Sequence, residues 1–348
     1  MLINDDGTIK ATLVDNSVIE QADDVTISAT SDQSLWTQSI GGAIGGGLAV
    51  GASVANATAE GTVEASMGDG VKIGQTIAKT VADLIILLTA SGTGFAQAIA
   101  VAAGTVSGAG ADSKVDIKNI LKTKIGNNAL IKLNGNLSLT SIAAMDADAR
   151  AVGVAVATGA AVGVSLAKAY LKPNITTTMG TGGTIIAGGT ISLLSRYNVD
   201  AALNKNSNSA TVLGVAGGGG ILVGATGTDV DAEANATLNT YVGGTTRLQA
   251  TGAITLASYA YNRADAQAFG IALGTLAVGA VLVDAKANGS NSVYLLGNVT
   301  DAAGTGNGAT GLTMTAKTIS NATVFGLAVA GGILSGAGVD AESQANPT

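Results

Sequence analysis

The sequence predicts an all-β chain wound as a parallel β-helix, a solenoid of six repeats of about 57 residues. Three observations carry this reading. A short strand-like signature recurs six times. A Gly/Ala-rich signature follows it each time. The composition supplies slender aliphatic side chains and almost no aromatic ones: 47% hydrophobic but 3% aromatic, with 50 Gly and 2 Pro in 348 residues.

The first signature reads "VTISA" at 25–29, "ILLTA" at 86–90, "LSLTS" at 137–141, "ISLLS" at 191–195, "ITLAS" at 254–258 and "LTMTA" at 312–316. Apolar residues alternate with Ser, Thr or Ala, the pattern of a half-buried strand. "ILLTA" fits worst. The second signature begins at residues 41, 96, 151, 210, 266 and 322. Phe269 and Phe325 fall at one register in it, each followed by Gly, with Leu213 and Gly214 in the matching place one repeat earlier. Each unit then passes through a polar stretch such as "ATLNTYVGGTTRLQATG" (236–252), where strand-like pieces alternate with Gly, Asn and Thr turns.

A unit of this length equals about three coils of roughly 20 residues, the size of a β-helix rung. Some 17 rungs stacked at about 4.8 Å would give a rod roughly 80 Å long. Val, Ile, Leu, Ala and Thr stack well inside such a rod, and Gly serves corners and close backbone approach. Residues 1–22 read as an N-terminal segment or a first partial coil, and 23–348 as a single solenoid. One stretch departs. Ile73, Ile77, Val81, Leu84, Ile85 and Leu88 have helical spacing, so 71–88 is either a short helix covering the rod or an irregular strand.

Composition excludes several chemistries. There is no Cys and no His. Disulfides, Cys-ligated zinc, iron–sulfur clusters and a Ser-His-Asp triad are therefore out. The net charge is −7 and the 17 Lys and Arg are scattered, which gives nucleic-acid binding no electrostatic footing. "GNGATG" (306–311) matches G-x-G-x-x-G but precedes a strand instead of opening a helix, so it is no dinucleotide loop. "IGGAIGGGLAVGASVANA" (40–57) is uncharged over 18 residues, yet lacks flanking basic residues and an aromatic belt; membrane insertion is not expected. "MLINDDGTIK" shows no secretory signal, so an exported parent protein would carry its targeting segment elsewhere.

Acids are the remaining chemistry. The Gly/Ala signature ends in Asp at Asp112, Asp229, Asp284 and Asp340, and Asp112 and Asp340 close a G-x-G-x-D that resembles calcium-binding β-roll repeats without their nonapeptide period. Asp229, Asp231 and Glu233 alternate, so on a strand all three face one side. These six residues are the calcium candidates; the plainer reading is a solvated face near a corner. No other cofactor is expected. Paired carboxylates on a β-helix also serve polysaccharide-degrading enzymes. Here the acids recur with the repeat, and Tyr259 and Tyr261 are the one close aromatic pair, so no catalytic residue is assigned. The N-x-[ST] triplets at Asn56, Asn136, Asn174, Asn235, Asn288, Asn298 and Asn321 are what an Asn-, Ser- and Thr-rich chain produces by chance.

Stretches such as "ITLASYAYNRADAQAFGIALGTLAVGAVLVDAKANGS" resemble the repeats of very large bacterial surface proteins, namely leukotoxin-type filamentous adhesins related to filamentous haemagglutinin. The similarity covers roughly 23–348 and is one of pattern and composition. It implies a right-handed parallel β-helix, export to the cell surface or extracellular space, and a role as stalk or adhesive fibre without catalysis. The expected partners are further copies, joined end to end or as neighbouring fibre segments, and host or cell-surface ligands. The alternative function is a calcium-dependent or carbohydrate-binding β-helix module, with a polysaccharide-degrading enzyme behind it. A fibre repeats everything, whereas an enzyme breaks its repeat at one face to build a cleft.

Overall fold

The structure is a computed structural model that describes residues 1–75, 80–301 and 308–348. It is all-β, and every ladder between its strands is parallel. Three sheets run through the molecule, and each successive passage of the chain adds a level to all three, except the last, which extends the first sheet alone.

One passage is best followed in the fourth level. The chain leaves on an outbound course, Ile191–Tyr197 and Ala210–Gly220, turns at Ile221 and Leu222, and returns along Val223–Ala234. Both courses belong to the 12-stranded first sheet. A corner leads to Thr237–Val242 in the second sheet, and a turn to Arg247–Ala250 in the third. The next outbound strand, Ala253–Leu273, then lies on the first. We call this closed path a circuit. Six outbound courses are stacked, beginning with Ala22–Ile44 and ending with Gly311–Gly331. Ahead of them Leu2–Asp5, Thr8–Leu13 and Val18–Ile19 place one strand in each sheet.

The registers correct the rung count. Leu84 pairs with Leu137, Leu137 with Ile191 and Ile191 with Ile254, so a single repeat is a single circuit of 53 to 63 residues. It does not divide into three coils of 20. Six levels at about 4.8 Å span roughly 29 Å along the stacking direction. The 23-residue outbound strand, at about 3.3 Å per residue, runs roughly 75 Å across it. The described molecule is a slab, wider than it is tall. The sequence hides the length of the outbound strand, because residues such as Ser91, Gly92 and Gly94, which mark turns elsewhere, lie within an unbroken strand.

The strand signatures at 25, 137, 191, 254 and 312 share one register. The second circuit enters two residues earlier than expected, since Leu84 and not Ile86 pairs with Val25 and Leu137. Leu84, Ile86 and Leu88 point inward and are fully buried, with period two. Helical spacing over 71–88 is thus an accident of joining Lys72–Ile73 to the start of Val81–Ile117, both strands; Ile77 lies outside the described residues. The 63-residue fourth circuit holds an excursion at 198–209 that interrupts its outbound course. There Asn198, buried, replaces a strand residue: its Oδ1 accepts from Met145 N–H at 2.8 Å and its Nδ2 donates to Met145 C=O at 3.1 Å.

Two packing zones result. The proximal half of the outbound strands, with the second and third sheets, encloses an aliphatic core of residues such as Leu84, Leu121, Ile131 and Leu139. A file of buried hydroxyls runs through it. Ser195 Oγ donates to Thr177 Oγ1 (2.8 Å), Ser141 Oγ donates to Thr123 Oγ1 (2.7 Å), and Ser141–Thr177 and Ser195–Thr240 close the file at 2.7 Å each. Corners carry a second ladder of Asx side chains. Asp15 accepts from Asp69 N–H, Asp69 from Asn127 N–H and Asn127 from Thr181 N–H, at 2.7–2.9 Å. Asn136, Asn235 and Asn288, flagged in the sequence as N-x-[ST] triplets, accept in the same way from Thr190, Asn288 and Asn346.

Candidate functional site

The distal half of each outbound strand and the return strand form the second zone, a thin two-layer fin. Its interior is chiefly Ala, Gly and Ser, with Val212, Thr226, Thr228 and Val281 on the fourth and fifth circuits: Ala96, Ala98, Ala100 and Ala102 are fully buried from one side, Ala109 and Ala111 nearly so from the other. Sheets separated by ordinary side chains lie about 10 Å apart. These lie so close that a Cβ on Gly153 would stand 2.2 Å from Val164 O, and one on Gly218 2.1 Å from Ala225 O. Ser53 and Ser107 on the return layer reach across to donate to Ser39 C=O and Val156 C=O. The Gly/Ala signature is therefore a two-layer element, and the four glycines 217–220 lie in its wall.

The fin is apolar outside as well as inside. On its outbound face Ile40, Ile99, Val152, Val215, Phe269 and Leu327 stand at one register. Phe325 pairs with Gln267, and Phe269 with Leu327, so the two phenylalanines sit two positions apart and touch diagonally at 5.5 Å. They do not share the register expected from sequence. At the tip Ile44, Ile221 and Ile333 are exposed.

The return face has a period of two circuits. On circuits one, three and five its outward residues are Val50-Ala52-Val54, Val162-Val164-Leu166 and Val278-Ala280-Leu282. On circuits two, four and six the same positions hold Gly108-Gly110-Asp112, Ala225-Gly227-Asp229 and Gly336-Gly338-Asp340. Ridges thus alternate with grooves at a spacing of about 9.6 Å, twice the strand separation. Side chains at Gly108, Gly110, Gly227, Gly336 or Gly338 would meet nothing within 4 Å, and none of these has positive φ. Nothing within the chain requires glycine there.

This geometry places the six acids. Asp112, Asp229 and Asp340 stand in one row, one at the end of each groove, separated by Leu166 and Leu282. Asp231 and Asp284 stack in the next row with Glu342, below Lys114 and Lys168 on the second and third circuits. Glu233 lies one row further on, opposite Tyr170 and Lys286. The second and third of these rows are charge-compensated. Tyr170 Oη donates to Asp231 Oδ2 at 2.8 Å, Lys286 pairs with Asp284 at 3.4 Å, and Glu233 pairs with Lys172. Lys172 also lies over the Tyr170 ring, and Lys114 pairs with Asp116 at 3.0 Å. Burial, with the Asp231 hydrogen bond and charge, pushes the Tyr170 hydroxyl far above its ordinary range. Among the described residues no three acidic side chains converge as a metal ion would require. The acids are distributed along rows, whereas calcium needs six to eight oxygens around one point.

Elsewhere Asp146, on the outward face of its strand beside Ser209 of the excursion, has its carboxyl held above the usual range, by burial first and by Asp148 second, with Ser209 N–H and Arg263 opposing. It supports the excursion of the fourth circuit by accepting from Ser209 N–H at 2.8 Å. Sequence reasoning did not single it out; its signal is register with the excursion, which no local pattern reveals. No helix among the described residues is long and apolar enough to cross a membrane. Comparison of the chain with known protein families, with curated proteins and with solved structures finds no match.

Proposed function

We propose that the chain is a structural segment of a large bacterial cell-surface or extracellular fibre, wound as a right-handed parallel β-solenoid and without catalytic activity. The observation that carries this reading is the regularity of the register. Each of the first five circuits adds a level to all three sheets, the sixth extends the first sheet, and the same corner ladders recur from level to level. An enzyme built on such a frame breaks the repeat to assemble a cleft of convergent polar groups. Among the described residues the one interruption of the outbound courses is the excursion at 198–209, where Asp200 helps hold it by accepting from Asn204 N–H at 2.9 Å. The resemblance to filamentous adhesins points the same way and suggests that adhesion or spacing at the cell surface is the task.

The test is incubation of the purified protein with a panel of plant, microbial and animal polysaccharides, with reducing ends measured over hours. No release above background is expected. Sustained release from any one of them would overturn the non-enzymatic reading.

A further inference from the structure

We infer that the return face of the fin pairs with the return face of a second copy of this chain, with the two stacking directions antiparallel. The inference rests on the structural reading above and names its partner. Three independent features point to it.

The first is the unexplained glycine. Gly in a strand lowers stability relative to residues with side chains, yet Gly110, Gly227 and Gly338 stand where a side chain would meet only open space. Their effect is to keep grooves open between the ridges at Val164 and Ala280.

The second is shape. Two faces in an isologous contact are related by a two-fold axis lying between them. An axis along the stacking direction would set ridge on ridge. An axis parallel to the strands, between the third and fourth circuits, reverses the order: circuit one meets six, two meets five, three meets four. Each ridge then faces a groove, with Val164 opposite Gly227 and Ala280 opposite Gly110, while Leu166 and Leu282 stand opposite Asp229 and Asp112 at the groove ends.

The third is charge. The same axis brings Lys114 opposite Asp284, Lys168 opposite Asp231 and Asp116 opposite Lys286, rows read from the registers of one chain. Every opposed pair of charges in these rows is of opposite sign. The apolar patch, about seven residues long by six strands, measures roughly 600 Å² per copy, so a pair buries about 1,200 Å², the lower bound of a specific interface. A lipid bilayer is disfavoured as occupant, because the outermost strands would carry unpaired backbone edges into hydrocarbon; at a protein interface they remain in water.

The test is sedimentation equilibrium of the full chain at 1–100 μM with three sets of variants. The wild type is expected to dimerise. Gly110→Val with Gly227→Val fills two grooves; the variant is expected to keep or raise its melting temperature and to weaken dimerisation at least about tenfold. Lys114→Glu or Asp284→Lys alone is expected to weaken it, and the double exchange to restore it. A wild type that stays monomeric at 100 μM, a dimer indifferent to groove filling and charge reversal, or a monomer that binds phosphatidylcholine vesicles would each overturn the inference. A monomer that releases no sugar would sink the pairing and leave the structural reading standing, whereas sugar release would sink the latter.

Discussion

Single residues in this chain are constrained by the residue one level above or below. The turn between the second and third sheets shows it. Asn16, Gly70, Asn128, Gly182 and Thr245 occupy the same place on successive levels, and all have φ between +53° and +73°. Asn tolerates that left-handed conformation and Gly adopts it without cost. A Cβ on Gly70 would stand 2.5 Å from Asn16 Oδ1, so an asparagine here needs a glycine above it. Gly70→Ala is expected to destabilise by about 1–3 kcal/mol, read by chemical denaturation. Asp146 gives a pH dependence. Its folded pKa is raised above the ordinary 3.8, so the folded state holds the proton more tightly. Its contribution is full below that ordinary value and is lost as pH rises through the folded one. Asp146→Asn is expected to flatten the decline in melting temperature above about pH 4 that this group imposes. An unchanged slope would show that another group sets it. For the acid rows, millimolar calcium is expected to leave the melting temperature within about 1 °C, since no three acids converge on one point among the described residues. A rise of several degrees would show that binding assembles one.

At the scale of elements, the hydroxyl file and the fin make opposite demands. Removing one hydroxyl from the file leaves its neighbours buried without partners, so Ser195→Ala is expected to cost about 1–3 kcal/mol. Replacing Ser195 and Thr177 together, by Ala and Val, is expected to cost less than twice that, measured as a double-mutant cycle. This is also the scale at which the sequence was most and least legible. Five of six outbound strands were visible at their register because their proximal halves alternate apolar and polar residues, which is what one buried and one solvated face produces. The fin was seen as a recurring Gly/Ala signature but not as two layers. Ala inside and Val or Ile outside give no alternation of polarity, so the two-residue period is masked. The grooves, the corner ladders and the role of Asp146 depend on which residues share a level, and register is set by circuit lengths that vary from 53 to 63. A single sequence does not display that.

The whole molecule is a stack whose levels are joined laterally by backbone ladders and closed by one chain. Pulled from its ends, it should yield circuit by circuit from the outermost level, because each level contacts chiefly its neighbours. Single-molecule force extension is expected to show steps of about 190 Å, one circuit of about 57 residues at about 3.4 Å each. One large step would show that the six levels fail together. Steps near 70 Å would restore the short-coil reading.

The alternation on the return face and in the αL turn gives the chain a parity. Valine ridges fall on odd circuits and glycine grooves on even ones, while Asn and Gly exchange places at the first four levels of the turn with the same beat, before Thr245 takes the fifth. Loss or gain of one circuit would bring ridge beside ridge and stack Asn on Asn. Loss or gain of two would leave every neighbour as it was. The unit in which such a chain can lengthen, shorten or recombine is therefore the pair of circuits, and length variants of it should differ by even numbers of levels.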